Sequence, residues 1–334
     1  MLGHPAPVAR FGRSGPNQNK MTDGREGGRS SPHPSAPNPL GRAGSLLAAT
    51  AALLAGGCVH ARPLPVVELS QAAVESEQQG VVAVATALDD DPTHVTLCSG
   101  ALVAPNLILT ARHCVSRAIT ATPACDARGE SHNGLHLAED ADPGTIAIYV
   151  GAHVHVDRDP IRAHAIRTLH PVGRVLCDAD VAFLVIDHPL SDVTVLPLRL
   201  HGAVESGDRV LPIGFGGGAA NEIGNRVARL GSTILTVGPA ANSDTGAVLG
   251  PREFEVDEAT CRGDSGGPAI DARTGEIVGV VSRGASCSAS GNHVYTRVDA
   301  YAQLASAAFT AAAKASQVNV AQNERAEEER EESR

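Results

Sequence analysis

From Gly80 to Val298 the chain breaks its apolar runs every few residues with Gly, Pro, Asp or Asn. The runs Val81–Ala85, Leu107–Thr110, Ile146–Val150, Val181–Ile186, Arg209–Ile213, Ile234–Val237, Ile277–Val281 and Val294–Val298 are rich in Val and Ile. Runs of strand length, set off by turn-forming residues, predict an all-β barrel or sandwich. A helical pattern of useful length occurs only in the Ala-rich stretch Asp299–Ser316. The charge run after it, residues 317–334, reads as a solvated, disordered tail.

The opening of the chain follows different rules. Residues 1–44 are rich in Pro, Gly, Ser and Arg without apolar periodicity, so they offer no packed core. Leu46–Ala55 is an apolar run of ten residues behind Arg42. It is too short to cross a bilayer core of about 30 Å as a helix, and it suits the apolar part of a signal peptide. The long stretch ahead of it makes Met21 an alternative start. Ala55-Gly56-Gly57-Cys58 then resembles a bacterial lipobox, in which the cysteine becomes a lipidated N-terminus, although Ala55 stands where Leu is usual. The expected layout is a disordered leader and signal peptide over 1–57, with a linker or propeptide over 58–79.

Charge and cysteines agree with export. Residues 1–60 carry six Lys and Arg against two acidic residues, while the whole chain has a formal net charge of −10. A basic start on an acidic body is a secretory pattern. An acidic body with 2% aromatics and no Trp lacks the basic face and stacking rings that nucleic-acid binding needs. Of seven cysteines, six in the body allow three disulfides, and lipidation of Cys58 accounts for the seventh.

Three segments carry chemistry. Cys98–Leu102 leads to Thr110-Ala111-Arg112-His113-Cys114; Cys177–Leu184 contains Asp178 and Asp180; and Cys261–Pro268 reads Cys-Arg-Gly-Asp-Ser-Gly-Gly-Pro. A serine among glycines on a tight turn projects its hydroxyl while neighbouring N–H groups converge on one point. That hydroxyl needs a general base, and His is best suited near neutral pH. The His in turn needs a carboxylate to fix its tautomer. Ser265, His113 and Asp180 supply the set. Asp180 directly precedes an apolar strand, whereas Asp178 reads as a solvated loop residue.

On these residues the chain resembles the trypsin/chymotrypsin family of serine proteases, from about Val81 to the terminal helix. Residues 263–268 match the family's nucleophile motif in full. Residues 110–114 match its histidine motif except at Arg112, where a small residue is usual. Asp180–Leu184 fits the aspartate segment, Gly214-Phe215-Gly216 resembles the glycine–aromatic–glycine turn, and the order His, Asp, Ser along the chain is the family's. The resemblance implies a protease domain over 80–316: two six-stranded antiparallel β-barrels, 80–200 and 201–298, closed by a helix over 299–316. It implies catalytic roles for His113, Asp180 and Ser265, an oxyanion hole from the Gly263 and Ser265 amides, and substrate pairing along Ser282-Arg283-Gly284. It pairs Cys98 with Cys114 and Cys261 with Cys287, which leaves Cys125 for Cys177.

The same resemblance puts the specificity position at Ala259, which carries no charge, so strict Lys/Arg cleavage is not expected. His293 on the pocket wall and Arg262 at its rim are expected to favour small or acidic side chains. Arg283 stands where Trp is usual, which makes the next subsite less apolar. Asp264 matches the carboxylate that pairs with a new N-terminus after cleavage. The nearest candidate for that terminus is Val66-Val67-Glu68-Leu69, after Pro65; it lacks the family's glycines, and a cut there would also remove Cys58.

Two rival readings use other features. His153-Val154-His155-Val156-Asp157 resembles the start of a metallo-β-lactamase-like motif, but Arg158 stands where a third His belongs, so the histidines read as surface residues and no metal is expected. The other rival is a catalytically silent protease fold that binds partners. The expectation is a monomeric, exported bacterial serine endopeptidase acting on protein or peptide, with no cofactor and no nucleic-acid partner. It would be secreted, or held in the cell envelope through Cys58.

Overall fold

The computed structural model describes residues 69–87, 95–120, 122–217, 223–257, 260–284, 291–332 and 334. The leader, Cys58, Val66, Val67, Ala259 and Cys287 lie outside the described residues. The chain divides into two compact units, Met1–Arg62 and Pro63–Arg334, and every described residue belongs to the second.

Six strands form the first barrel: β1 Val81–Ala87, β2 Val95–Ala104, β3 Leu107–Thr110, β4 Ile146–Tyr149, β5 Ala163–Leu169 and β6 Ala182–Ile186. They pair antiparallel in the order β1-β2-β3-β6-β5-β4, and β4 closes onto β1. Successive side chains of a strand point to opposite faces. One set, including Val82, Val84, Ile108, Leu184 and Ile186, fills one cluster. The alternate set, including Val81, Ala83, Leu107, Leu109, Phe183 and Val185, is buried in another. Both faces of these strands are therefore covered, which is why they read as unbroken apolar runs instead of alternations.

The second barrel repeats the plan with β7 Arg209–Gly214, β8 Ser232–Val237, β9 Glu253–Val256, β10 Pro268–Asp271, β11 Ile277–Gly284 and β12 His293–Arg297. Its order is β7-β8-β9-β12-β11-β10, closed by pairing of β10 with β7. A two-residue strand, Val227–Ala228, pairs with the end of β7, and β8 pairs with its start. The returning strand is thus interrupted at Arg229-Leu230-Gly231. Phe254 and Tyr295 stack at 5.2 Å in this barrel's own core. Leu211, Ile213, Phe215, Ile270 and Val280 join the outward set of the first barrel in one cluster. Burial of each such Leu, Ile, Val or Phe contributes about 1.5–3 kcal/mol, and this shared cluster docks the barrels.

Two helical features depart from the sequence reading. Helix α1, Gln71–Gln79, lies inside the stretch read as a linker. Val74 is its one buried residue, so no apolar period announced it; the Ser70 hydroxyl, which accepts the Ala73 N–H at 3.3 Å, supplies the cap. Helix α2 spans Ala302–Glu332 after a short turn at Asp299–Tyr301, well past the expected end at 316. Ala305, Ala308 and Ala312 pack inward, and the Asn106 side-chain amide donates to the Ala312 carbonyl at 2.9 Å. Among the described side chains nothing beyond Ala312 is buried. Glu, Arg and Ala are strong helix formers, and their propensity continues the helix through the charge run.

Disulfides join Cys98 to Cys114 and Cys125 to Cys177, and Cys261 is also disulfide-bonded. Among the described residues no helix is long and apolar enough to cross a membrane.

Candidate active site

His113 sits in the single turn Arg112–Cys114 that follows β3, and the Cys98–Cys114 bond ties this turn to β2. Asp180, fully buried, lies just ahead of β6. Its Oδ2 is 2.8 Å from His113 Nδ1, and its Oδ1 accepts the His113 backbone N–H at 3.0 Å. An accepting carboxylate holds the ring proton on Nδ1 and leaves Nε2 as the base. The Ser282 hydroxyl donates to Asp180 Oδ2 at 2.7 Å from an irregularity in the β11–β12 pairing between Val281 and Arg283. Such bulges re-aim side chains.

Burial drags the His113 pKa down, but the charge of Asp180 and its hydrogen bond outweigh that and leave it raised. For Asp180 burial pushes upward, and the charge and hydrogen bonds of His113, with the Ser282 hydroxyl, bring it below the usual carboxylate range. The pair is set to hold an imidazolium.

Ser265 lies between β9 and β10 on a turn flanked by Gly263 at φ +105° and Gly266 at φ +77°. A Cβ on Gly266 would lie 2.2 Å from Thr110 Oγ1, so this turn of the second barrel is pressed against the first. Ser99 of β2 holds both sides of the turn. Its N–H donates to the Ser265 carbonyl at 2.8 Å, and its hydroxyl donates to the Gly263 carbonyl at 2.7 Å and accepts the Phe215 N–H at 2.8 Å. The sequence reading gave Ser99 no role, because its partners are remote in the chain. The Gly263 and Ser265 amides make no hydrogen bond to any described residue. Ser265, His113, Gly263 and Arg262 line one cleft of about 450 Å³. No hydrogen bond joins the Ser265 hydroxyl to the ring; such contacts commonly tighten only when substrate binds.

The model of the family described as Trypsin matches residues 67–305, well over half of the chain. The chain belongs to the trypsin family. Among solved structures 799 chains match. One is the scabies mite inactivated protease paralogue S-I1, 19% identical, with a TM-score of 0.51 over 70% of this chain and 96% of that one. At that identity the likeness shows the fold, which is chymotrypsin-like. A comparison with curated proteins found no match.

Several residues of this trypsin-family chain stand differently from the sequence reading. His293 is fully buried; its Nδ1 faces the Thr260 N–H at 3.2 Å and the Thr260 hydroxyl at 3.1 Å. Arg283 lines a second part of the cleft, about 560 Å³, with His113, Ser282 and Gly284. Its guanidinium is committed to Glu253, donating to Oε1 at 2.5 Å and Oε2 at 2.8 Å. Glu253 is fully buried, and its two oxygens also accept the Asp178 and Gly250 N–H groups. Arg283 therefore neutralises a buried acid in the wall.

Asp178 is likewise no solvated loop residue. It is buried at φ +64°, accepts the Arg252 N–H at 2.5 Å, and its carbonyl accepts the Tyr301 hydroxyl. Burial pushes its carboxyl pKa up. Arg112, the unusual residue of the histidine motif, is buried and binds the Ser116 hydroxyl and Asp140 at 2.7 Å each and the Pro171 carbonyl at 2.8 Å. It braces the His113 turn from behind.

Asp264 is paired with Arg229, Nη2 to Oδ2 at 2.7 Å. The one described cluster of three metal-type ligands is Cys98, Cys114 and His113, and its cysteines are bonded to each other, leaving no thiolate for an ion. His153 Nδ1 lies 2.6 Å from Asn225 Oδ1, while His155 borders the cleft beside Val154 and Asp157.

Proposed function

We propose that this chain is a serine endopeptidase of the trypsin family. One observation carries the reading: an oriented His113–Asp180 pair shares a cleft with Ser265, whose turn presents two amides without partners among the described residues. In this mechanism Ser265 Oγ attacks a peptide carbonyl carbon while His113 Nε2 takes its proton. The Gly263 and Ser265 amides stabilise the oxyanion. His113 then returns the proton to the leaving amine, and water repeats the sequence to free the acyl group. Asp180 holds the imidazolium throughout.

Pocket chemistry supports cleavage that is not restricted to Lys and Arg, since Ala259 carries no charge. Arg262, exposed where the cleft opens beside Ser265, is the cation available to an acidic substrate side chain. The disulfides and the apolar run Leu46–Ala55 support export. The protein is read as bacterial, with Cys58 as its lipid anchor, and as a monomer whose protease domain spans 80–316 behind a leader over 1–57.

The test is labelling of the purified exported chain with a fluorophosphonate. The wild type is expected to be labelled at Ser265, and Ser265→Ala to be unlabelled while melting as the wild type does. Labelling that persists in Ser265→Ala, or no labelling of the wild type, rejects the proposal and favours a silent binding protein.

A further inference from the structure

Asp264 separates the two residues whose amides face the substrate, so the position of its side chain sets the direction of both. A Cβ on Gly214 would lie 2.4 Å from Asp264 Oδ1, and one on Gly216 would lie 2.4 Å from its Cγ and Oδ2. The carboxylate is therefore pressed onto bare backbone and has little freedom. It accepts the Gly216 N–H on Oδ1 at 2.7 Å and the Cys261 N–H on Oδ2 at 2.8 Å. Its cation is Arg229, and the two side chains are 9% and 3% exposed.

Arg229 reaches this place because the returning strand of the second barrel is interrupted there. Its N–H donates to the Pro212 carbonyl at 2.9 Å, and its own carbonyl accepts the Ser232 hydroxyl at 3.0 Å. The break is thus pinned on both sides. Meanwhile the described residues ahead of β1 are anchored elsewhere: the Leu69 N–H donates to the Ala272 carbonyl at 2.7 Å, and α1 follows at once. A buried carboxylate without a cation takes up a proton or moves towards solvent. Arginine stays charged under all ordinary conditions and donates in a fixed fork.

We propose that Arg229 is a built-in counter-cation that orders the Gly263–Ser265 turn, so that the chain attains its catalytic conformation without a cut ahead of β1. This rests on the protease reading above. Arg229 is then a positioning residue acting through Asp264. A further consequence concerns Cys58: a chain still carrying it is itself the working enzyme, and activation does not detach it.

The experiment uses the exported chain as purified. Intact mass and N-terminal sequencing define the species that a fluorophosphonate labels, and peptide hydrolysis is followed in Arg229→Met, Arg229→Ala and Arg229→Lys. Uncut wild type is expected to be labelled at Ser265. Arg229→Met is expected to lose about 100-fold in kcat, the scale of losing an oxyanion-hole donor, with KM little changed. Arg229→Lys should keep most of the activity, and added ethylguanidinium should restore Arg229→Ala but not Ser265→Ala. Labelling confined to chains that begin at Val66 or at another terminus beyond Cys58 overturns this proposal and leaves the protease reading standing. So does wild-type kcat in Arg229→Met, or no rescue by the guanidinium. If no wild-type form is labelled, the protease reading fails and this proposal falls with it. The uncut wild-type arm decides the matter even if the Arg229 variants do not fold.

Discussion

Asp180 lies under His113 in the first barrel's half of the site, and Asp264 lies under the Ser265 turn in the second barrel's half; both are out of solvent. Asp180 receives the ring and backbone N–H groups of His113 and the Ser282 hydroxyl, and its pKa falls. Asp264 receives two amides and a guanidinium, yet burial outweighs them and its pKa rises. The difference follows from what each acid faces. In the proposed mechanism the partner of Asp180 gains and loses a proton in every turnover, so its surroundings would have to favour the carboxylate form throughout. The partner of Asp264 carries a permanent charge, and a tight fit on Gly214 and Gly216 matters more there than solvation.

The comparison breaks most visibly at Asp180. Asp180→Asn is expected to lower kcat by about 10⁴, because an amide holds the wrong imidazole tautomer. The same variant should move the acid limb of the kcat/KM profile. In the wild type the His113 pKa is raised, so activity falls as pH drops through a value above about 6.5. With the charge and hydrogen bond of Asp180 gone, only the downward push of burial remains. The limb should then lie at lower pH than in the wild type; a limb that stays in place would show that another group titrates.

A smaller effect sharpens the contrast. Ser282→Ala removes one donor to the charged form of Asp180, and a loss of about 1.5–3 kcal/mol in denaturant melts is expected, as for hydrogen bonds to ionised groups. Smallest is Arg117→Ala. Its pair with Glu139 is 40% and 65% exposed, and no measurable change in melting or kcat is expected. A large effect there would mean that surface charge, and not the two buried acids, governs the site.

How much of this was legible in the sequence follows from how local each signal is. The strands β1, β3 and β6 were readable because an apolar run buried on both faces is its own signature. His113, Asp180 and Ser265 could be singled out because each sits in a short string with its own chemistry. Arg229 has no such string, since its proposed role exists only once the Ser265 turn packs against the break in the second barrel. Ser99 and Glu253 were hidden for the same reason. For His293, chain position gives the strand but not the depth of the ring, which Thr260 contacts through Nδ1. Helix α1 carries too few apolar residues to show a period, and its cap at Ser70 was the only local sign.

Helix α2 also places the parts of the enzyme in time. His113 and Asp180 are made well before Ser265, and the helix that packs on the first barrel through Asn106 and Ala312 is made after it. On the protease reading, a chain emerging from the ribosome holds its base long before it holds its nucleophile. Ser265, the proposed nucleophile, arrives with barely one barrel's closing strands and a helix left to come. On the protease reading, the order of residues along the chain delays any cutting of its own unfolded segments until the second barrel can close.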